Sequence, residues 1–174
     1  MHLLKQCVRS IPNFPKEGIN FRDITTILQE PKAFRMAINS IQECLMGVEF
    51  DVVVAPEARG FILGTPIAYN MSKSFVPVRK KGKLPAETIQ EEYALEYGTA
   101  TLEVHKDAIS KGQKVVIVDD LLATDGTLQA IINLVEKLGG EVVKICCLIE
   151  LPELNGRNNL KGYDVSSVIT FDGE

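Results

Sequence analysis

KVVIVDDLLATDGTLQAIINLVEKLGG, residues 114–140, is the stretch that decides the fold. Val115 to Val118 form an unbroken β-branched run, short and apolar at every position, as expected of a strand buried on both faces. Asp119 and Asp120 mark its carboxyl end, and a short loop follows. Leu128, Ile131, Ile132, Val135 and Leu138 then recur at helical spacing until Gly139-Gly140 stop the pattern, which predicts a helix with one apolar face. Downstream, EVVKICCLIE at 141–150 reads as another buried strand and YDVSSVIT at 163–170 as a final one. Upstream, DVVVAPE at 51–57, Arg59-Gly60 and the uncharged stretch Phe61 to Tyr69 again read as strand, turn and helix. FVPV at 75–78 is a further strand. PKAFRMAINSIQECLM at 31–46 is an amphipathic helix, with Pro at its start and Phe34, Ala37, Ile38, Ile41 and Leu45 on one side. Strands alternating with helices, with near-continuous hydrophobicity, predict an α/β fold whose parallel core sheet is covered by helices on both faces. The Lys-rich, Gly/Pro-marked segment RKKGKLPAETIQEEYALEYGTA at 79–100 reads as a loop or a mobile β-ribbon.

Composition narrows the function classes. The 174 residues suit one domain, and a chain of that size buries enough surface to stand without staples. Nineteen Lys and Arg against 23 Asp and Glu leave a formal charge of −4, so no global basic field recruits nucleic acid, and any anion site must be local. Cys7, Cys44, Cys146 and Cys147 show no C-x-x-C spacing and have only His2 and His105 beside them, which argues against a zinc site. The opening MHLLKQCVRS lacks a charged-then-apolar leader design, and no apolar run approaches the ~18 residues of a membrane span. The expectation is a cytoplasmic protein with reduced thiols and no membrane partner.

Ligands of open α/β sheets bind beyond the carboxyl ends of the strands. After the 115–118 strand, Ala123-Thr124-Asp125-Gly126-Thr127 opens a helix, where free backbone N–H groups, small residues and two hydroxyls can cradle a phosphate. Asp119 and Asp120 at its lip are wrong for phosphate itself but right for vicinal hydroxyls or a hydroxyl-bound Mg²⁺. Together they suit a ribose 5-phosphate. Taken alone, an Asp-Asp pair before a helix also reads as a capped turn with exposed acids, and the Lys/Arg run as a solvated surface. Neither G-x-G-x-x-G nor G-x-x-x-x-G-K-[ST] occurs, which leaves a dinucleotide fold and a Walker ATPase without their main support.

VVIVDDLLATDGT resembles the 5-phosphoribosyl 1-diphosphate motif of the type I phosphoribosyltransferases. IPNFPKEGINFRDIT at 11–25, APEARGF at 55–61, RKKGKLP at 79–85 and YALEYG at 93–98 are similar, in order and spacing, to the signature segments of the adenine phosphoribosyltransferase family. The resemblance runs from about Ile11 to Ile149, with one departure: Asp125 stands where the family usually has Gly. It implies a type I phosphoribosyltransferase-like fold, a single domain over 1–174 with a small hood made largely from residues 1–30, and a homodimer. It also implies transfer of ribose 5-phosphate from 5-phosphoribosyl 1-diphosphate to N9 of adenine, giving AMP and diphosphate with Mg²⁺, the metal being held mainly by the donor.

Residue by residue, the resemblance places Asp119 and Asp120 on the ribose hydroxyls and Ala123, Thr124, Asp125, Gly126 and Thr127 around the 5-phosphate. Arg59, with Arg79, Lys80 and Lys83, would meet the diphosphate. Glu96 would assist proton transfer at the purine, and Tyr97 would belong to a lid. Asn20, Phe21 and Arg22 would form the adenine site, Phe21 stacking on the base and the Asn20 backbone reading its edge. Two other readings stay open: a sister transferase for a 6-oxopurine, and a non-catalytic regulatory protein that senses the donor.

Overall fold

Alternate residues of the 115–118 run feed two different cores. Val116 and Val118 pack with Ile38, Ile41, Leu63 and Ile67 on one side, whereas Val115 and Ile117 pack with Leu128, Ile131, Ile132 and Val135 on the other. A computed structural model describes residues 2–94, 98–124 and 126–172. In chain order it has α1 (His2–Gln6), β1 (Arg9–Ile11), β2 (Phe21–Asp23), α2 (Thr25–Gln29), α3 (Pro31–Cys44), β3 (Val52–Pro56) and α4 (Arg59–Asn70). There follow β4 (Ser74–Lys80), β5 (Thr88–Ala94), β6 (Thr99–His105), β7 (Lys114–Leu122), α5 (Gly126–Lys137), β8 (Glu141–Glu150) and β9 (Val165–Thr170). Two 3₁₀ turns, Pro152–Leu154 and Gly156–Leu160, join β8 to β9.

Seven strands form one sheet in the order β5-β6-β4-β3-β7-β8-β9. The pairs β3–β4, β3–β7, β7–β8 and β8–β9 are parallel, as the buried runs require. The 79–100 segment proves to be the ribbon alternative. β5 and β6 pair antiparallel from Thr88↔His105 to Ala94↔Thr99 and extend the parallel core at the β4 edge. β4 is longer than the 75–78 run because its polar end, Arg79 and Lys80, pairs with Glu103 and Leu102. The last strand begins at Val165 rather than Tyr163.

The main correction concerns β7. It does not end at Val118 but continues through both acids to Leu122, pairing Asp119 with Cys147 and Leu122 with Glu150. Asp119 and Asp120 are therefore buried, at 9% and 5% exposure, not solvent-facing at a strand end.

α3 begins where its sequence says it should: Pro31 occupies the first turn, and the Glu30 carboxylate accepts from the Lys32 N–H at 3.2 Å. The first 30 residues carry no strong helical pattern, yet α1 and α2 form because Leu4, Val8, Ile24 and Ile27 are buried in the same cluster as α3 and α4. Among the described residues no helix is long and apolar enough to cross a membrane, and no disulfide joins the cysteines.

Candidate active site

β3 leads through α4 to β4 on one side, while β7 leads through α5 to β8 on the other. Their outgoing connections diverge at the carboxyl edge, and a crevice must open between β3 and β7. Arg59 at the start of α4 and Asp119, Asp120, Ala123, Thr124, Gly126 and Thr127 at and after the end of β7 line that crevice, with Tyr93 and Ala94 of β5 closing its rim, around a cavity of about 310 Å³. A recess of about 170 Å³ continues from it past Glu57, Lys80 and Thr127. Gly60 permits this closeness. A Cβ there would lie 2.8 Å from Pro56 Cδ and 3.2 Å from Asp119 Oδ1, so a side chain would push α4 off the strand ends. Gly126 plays the same part on the opposite wall, since its Cβ would meet Ala94 O and Tyr93 Cδ2 at 3.2 Å.

Charge in the crevice is unbalanced. Asp119 Oδ1 accepts the Asp120 N–H at 2.8 Å, and Arg59 Nε lies 3.1 Å from Asp120 Oδ2. Two buried carboxylates thus share one guanidinium. Burial, with the charge of Asp120 second, pushes the Asp119 carboxyl well above the usual range. Burial also raises Asp120, against the pull of Arg59. Such a pair gains when a cation, or hydroxyl donors beside a developing positive charge, arrives between the strands.

A second cavity, about 440 Å³, shares Ala123 and Thr124 with the first and is walled by Asn20, Arg22, Leu151, Glu153, Leu154 and Phe171 among others. Arg22 donates through Nη1 to Ser10 Oγ and stacks its guanidinium 4.3 Å from the Phe171 ring centroid. Asn20 Oδ1 and Arg22 Nε are buried without a hydrogen-bond partner, and a buried polar atom left so is a place for a ligand or water. Phe21, expected in the adenine site, is not among the residues lining these cavities; it lies edge-on to Phe14 at 5.3 Å and 5.4 Å from the Arg59 guanidinium.

The tertiary structure therefore gathers Arg59, Lys80, Asp119, Asp120, Ala123, Thr124, Gly126 and Thr127 around one space, with Asn20 and Arg22 next door. Arg79 lines none of these three cavities, and its Nε lies 3.4 Å from Glu57 Oε1. Lys83 also stands apart, its backbone N–H donating to Glu103 at 2.9 Å. Glu96, Tyr97 and Asp125 lie outside the described residues. Sequence reading missed Glu57, Tyr93, Glu153, Leu154 and Phe171. The last three follow the ends of β8 and β9, so the strand-end rule applied to those two strands would have found them. Glu57 and Tyr93 sat inside segments already singled out and were passed over for their neighbours.

Residues 23–173 match the model of the phosphoribosyl transferase domain family. An adenine phosphoribosyltransferase of Lachnoclostridium phytofermentans is 62% identical over 174 residues, covering 100% of both chains. The crystal structure of adenine phosphoribosyltransferase from Thermoanaerobacter pseudethanolicus superimposes with a TM-score of 0.96 at 56% identity, covering 98% of this chain and 99% of that one. The Saccharomyces cerevisiae enzyme, solved with an imino-altritol bisphosphate and adenine, gives 0.90 at 38% identity over 96% and 97% of the two chains.

Proposed function

This chain belongs to the phosphoribosyl transferase family, among its adenine phosphoribosyltransferases, and on that premise we propose how its own residues carry the reaction. The activity is transfer of ribose 5-phosphate from 5-phosphoribosyl 1-diphosphate to N9 of adenine, forming AMP and diphosphate. As the C1–diphosphate bond breaks, positive charge gathers on the ribose ring. Asp119 and Asp120 accept hydrogen bonds from the 2′- and 3′-hydroxyls and face that charge with carboxylates already desolvated, which is electrostatic preorganisation. Backbone N–H groups at the start of α5 and the Thr124 and Thr127 hydroxyls hold the 5-phosphate. Arg59 and Lys80, on the wall across from them, take the leaving diphosphate. Arg79 and Lys83 belong to the same basic strand end and add charge at longer range.

Adenine enters on the hood side. Phe21 stacks on the base, the Asn20 backbone reads its edge, and Arg22 completes the pocket. Ala94 lines the donor cavity, which supports giving Glu96, two residues further on, the proton-transfer role at the purine, with Tyr97 in the lid. A carboxylate ~4 Å from a phosphate would cost about 4 kcal/mol at an effective dielectric near 20, so this reading requires that the Asp125 charge not face the 5-phosphate.

The oxygen-only pair Asp119–Asp120 fits a hard cation. Mg²⁺ bound chiefly to the donor would neutralise diphosphate charge, and Asp119 and Asp120 would be the residues to accept hydrogen bonds from its waters. We further infer a homodimer and a cytoplasmic setting, with no nucleic-acid or membrane partner.

The observation that carries this reading is the buried Asp119–Asp120 pair held against Arg59 beside the α5 phosphate loop. Steady-state assays with adenine, hypoxanthine, guanine and xanthine test it. Adenine is expected to exceed each 6-oxopurine in kcat/KM by at least about 10²-fold, because the wrong base edge leaves buried polar groups unpaired. Comparable rates with hypoxanthine or guanine would assign the 6-oxopurine reaction, and no turnover with any base would favour a donor sensor.

A further inference from the structure

β8 and β9 are parallel neighbours joined by two 3₁₀ turns, where β3–β4 and β7–β8 are joined by a full helix. That short connection lies directly over the phosphate loop. Asn159 Nδ2 donates to the Thr124 carbonyl at 3.0 Å, a contact between segments 35 positions apart in the chain.

The platform carrying Asn159 is fixed from both ends. At its start the Leu151 N–H donates to Leu122 O at 2.9 Å, beside the loop itself. In its middle Arg157 forms a two-pronged pair with the buried Glu150, through Nε at 2.8 Å and through Nη2, and Nη1 donates to Val165 O at 2.8 Å. Ser167 Oγ also donates to Glu150. Leu160, next to Asn159, is 1% exposed and anchors the end of the second turn in the α5-side core. Asn159 itself is exposed, so its side chain is presented by a rigid base without being part of the core.

A loop that turns its N–H groups toward an anion must turn carbonyls outward, and an outward carbonyl needs a donor to hold it there. We propose that Asn159 is a positioning residue for the phosphate loop. Its carboxamide holds the Thr124 carbonyl, so that the Gly126 and Thr127 N–H groups and the Thr124 and Thr127 hydroxyls are set toward the crevice before the donor arrives. This rests on reading 123–127 as the 5-phosphate site. The same connection places Glu153 and Leu154 in the wall of the Asn20–Arg22 cavity, and Thr124 lines both cavities. The bond is to the Thr124 backbone just before α5, however, so its loss should fall first on the donor and less on adenine.

The test compares the full chain with Asn159→Leu, which keeps the size and loses the donor, and Asn159→Gln, which keeps an amide donor. Asn158→Ala is the exposed control. Measured together are KM for 5-phosphoribosyl 1-diphosphate, KM for adenine, kcat, the thermal midpoint, and the Kd of ribose 5-phosphate by calorimetry. Asn159→Leu is expected to raise the donor KM and the ribose 5-phosphate Kd about three- to tenfold, the loss of one neutral hydrogen bond. Adenine KM should rise less than the donor KM, and kcat and the thermal midpoint should stay at wild-type values, with Asn159→Gln recovering most of the loss and Asn158→Ala matching wild type. Unchanged donor constants in Asn159→Leu, or an equal rise in Asn159→Gln, would overturn the proposal. So would a rise matched by the adenine KM or by a fall in thermal midpoint. A wild type that binds ribose 5-phosphate without turning over adenine would sink the transferase reading while the Kd comparison still decides this one. A wild type that does not bind it overturns both.

Discussion

Asp119 and Asp120 bring two negative charges out of water with a single guanidinium, Arg59, in contact. Their carboxyl groups are raised by burial. A group whose folded pKa is raised contributes stability below its unfolded value, 3.8 here, and that contribution is lost as pH rises through the folded value. At pH 8 the pair therefore works against folding, a cost consistent with the catalytic role proposed for it. Changing both to Asn should leave the thermal midpoint at pH 8 no lower than wild type while kcat falls by about 10²–10³, the ~2–4 kcal/mol carried by a preorganised charge. Parallel loss of midpoint and activity would make them structural residues. VVIVDDLLATDGT was enough to single these acids out as candidates, since they stand between a buried run and a phosphate-type loop. Their burial was not legible, because acids after an apolar run look like its end, and only pairing with β8 carries β7 on to Leu122.

Strands and turns around the crevice are held by carboxylates that spend their oxygens on backbone N–H groups. Lys80 N donates to Glu57 and Lys81 N to Thr101 O, while Lys83 N and Leu84 N both donate to the buried Glu103. The basic turn is thereby preformed, and it offers an anion its side chains instead of a nest of amides. Burial would raise the Glu103 carboxyl, but the Leu84, Gly82 and Lys83 backbone N–H groups together hold it below its usual range. At the hood, Asp23 accepts from Thr25 N at 2.9 Å and from Arg9 Nε at 3.0 Å, and these bonds lower its pKa from 3.8 to about 2. A lowered carboxylate stabilises above its unfolded value and loses that contribution as pH falls through the folded one. Between about pH 4 and pH 2 the thermal midpoint of wild type should therefore drop more steeply than that of Asp23→Asn, which should already be lower at pH 7. Matching slopes would remove Asp23 from the acid response. Sequence periodicity could not show these clasps, since apart from the local Asp23–Thr25 bond they join residues far apart in the chain through a single side chain.

At the scale of the whole molecule, the outer side of α4 leaves Ile62 at 39% and Tyr69 at 84% exposure, beside a groove of about 590 Å³ lined by Phe34, Ile38 and Pro66. The proposed homodimer would use this face, where a second copy would cover apolar surface that a lone chain leaves in water. Light scattering should give twice the 19.2 kDa chain mass for wild type, and Tyr69→Glu should shift it toward one chain. A monomeric wild type, or a dimer indifferent to Tyr69→Glu, would move the interface elsewhere. By itself the sequence determined the layers of this protein, because continuous β-branched runs and helical spacing are local properties that each segment carries alone. It also determined the chemistry on offer, because side-chain types do not depend on folding: two acids before a small-residue loop, a basic strand end, an aromatic beside Arg22. Only the tertiary structure decided that β3 and β7 lie side by side with their connections diverging. That one adjacency sets Arg59 against Asp120 across 61 positions of chain, while pairing with β8 carries β7 through both acids and buries them. The tertiary structure likewise decided that Leu151, Glu153, Leu154 and Phe171 wall the neighbouring cavity, since strand order follows from which apolar faces pack together, and no short window of sequence contains both partners.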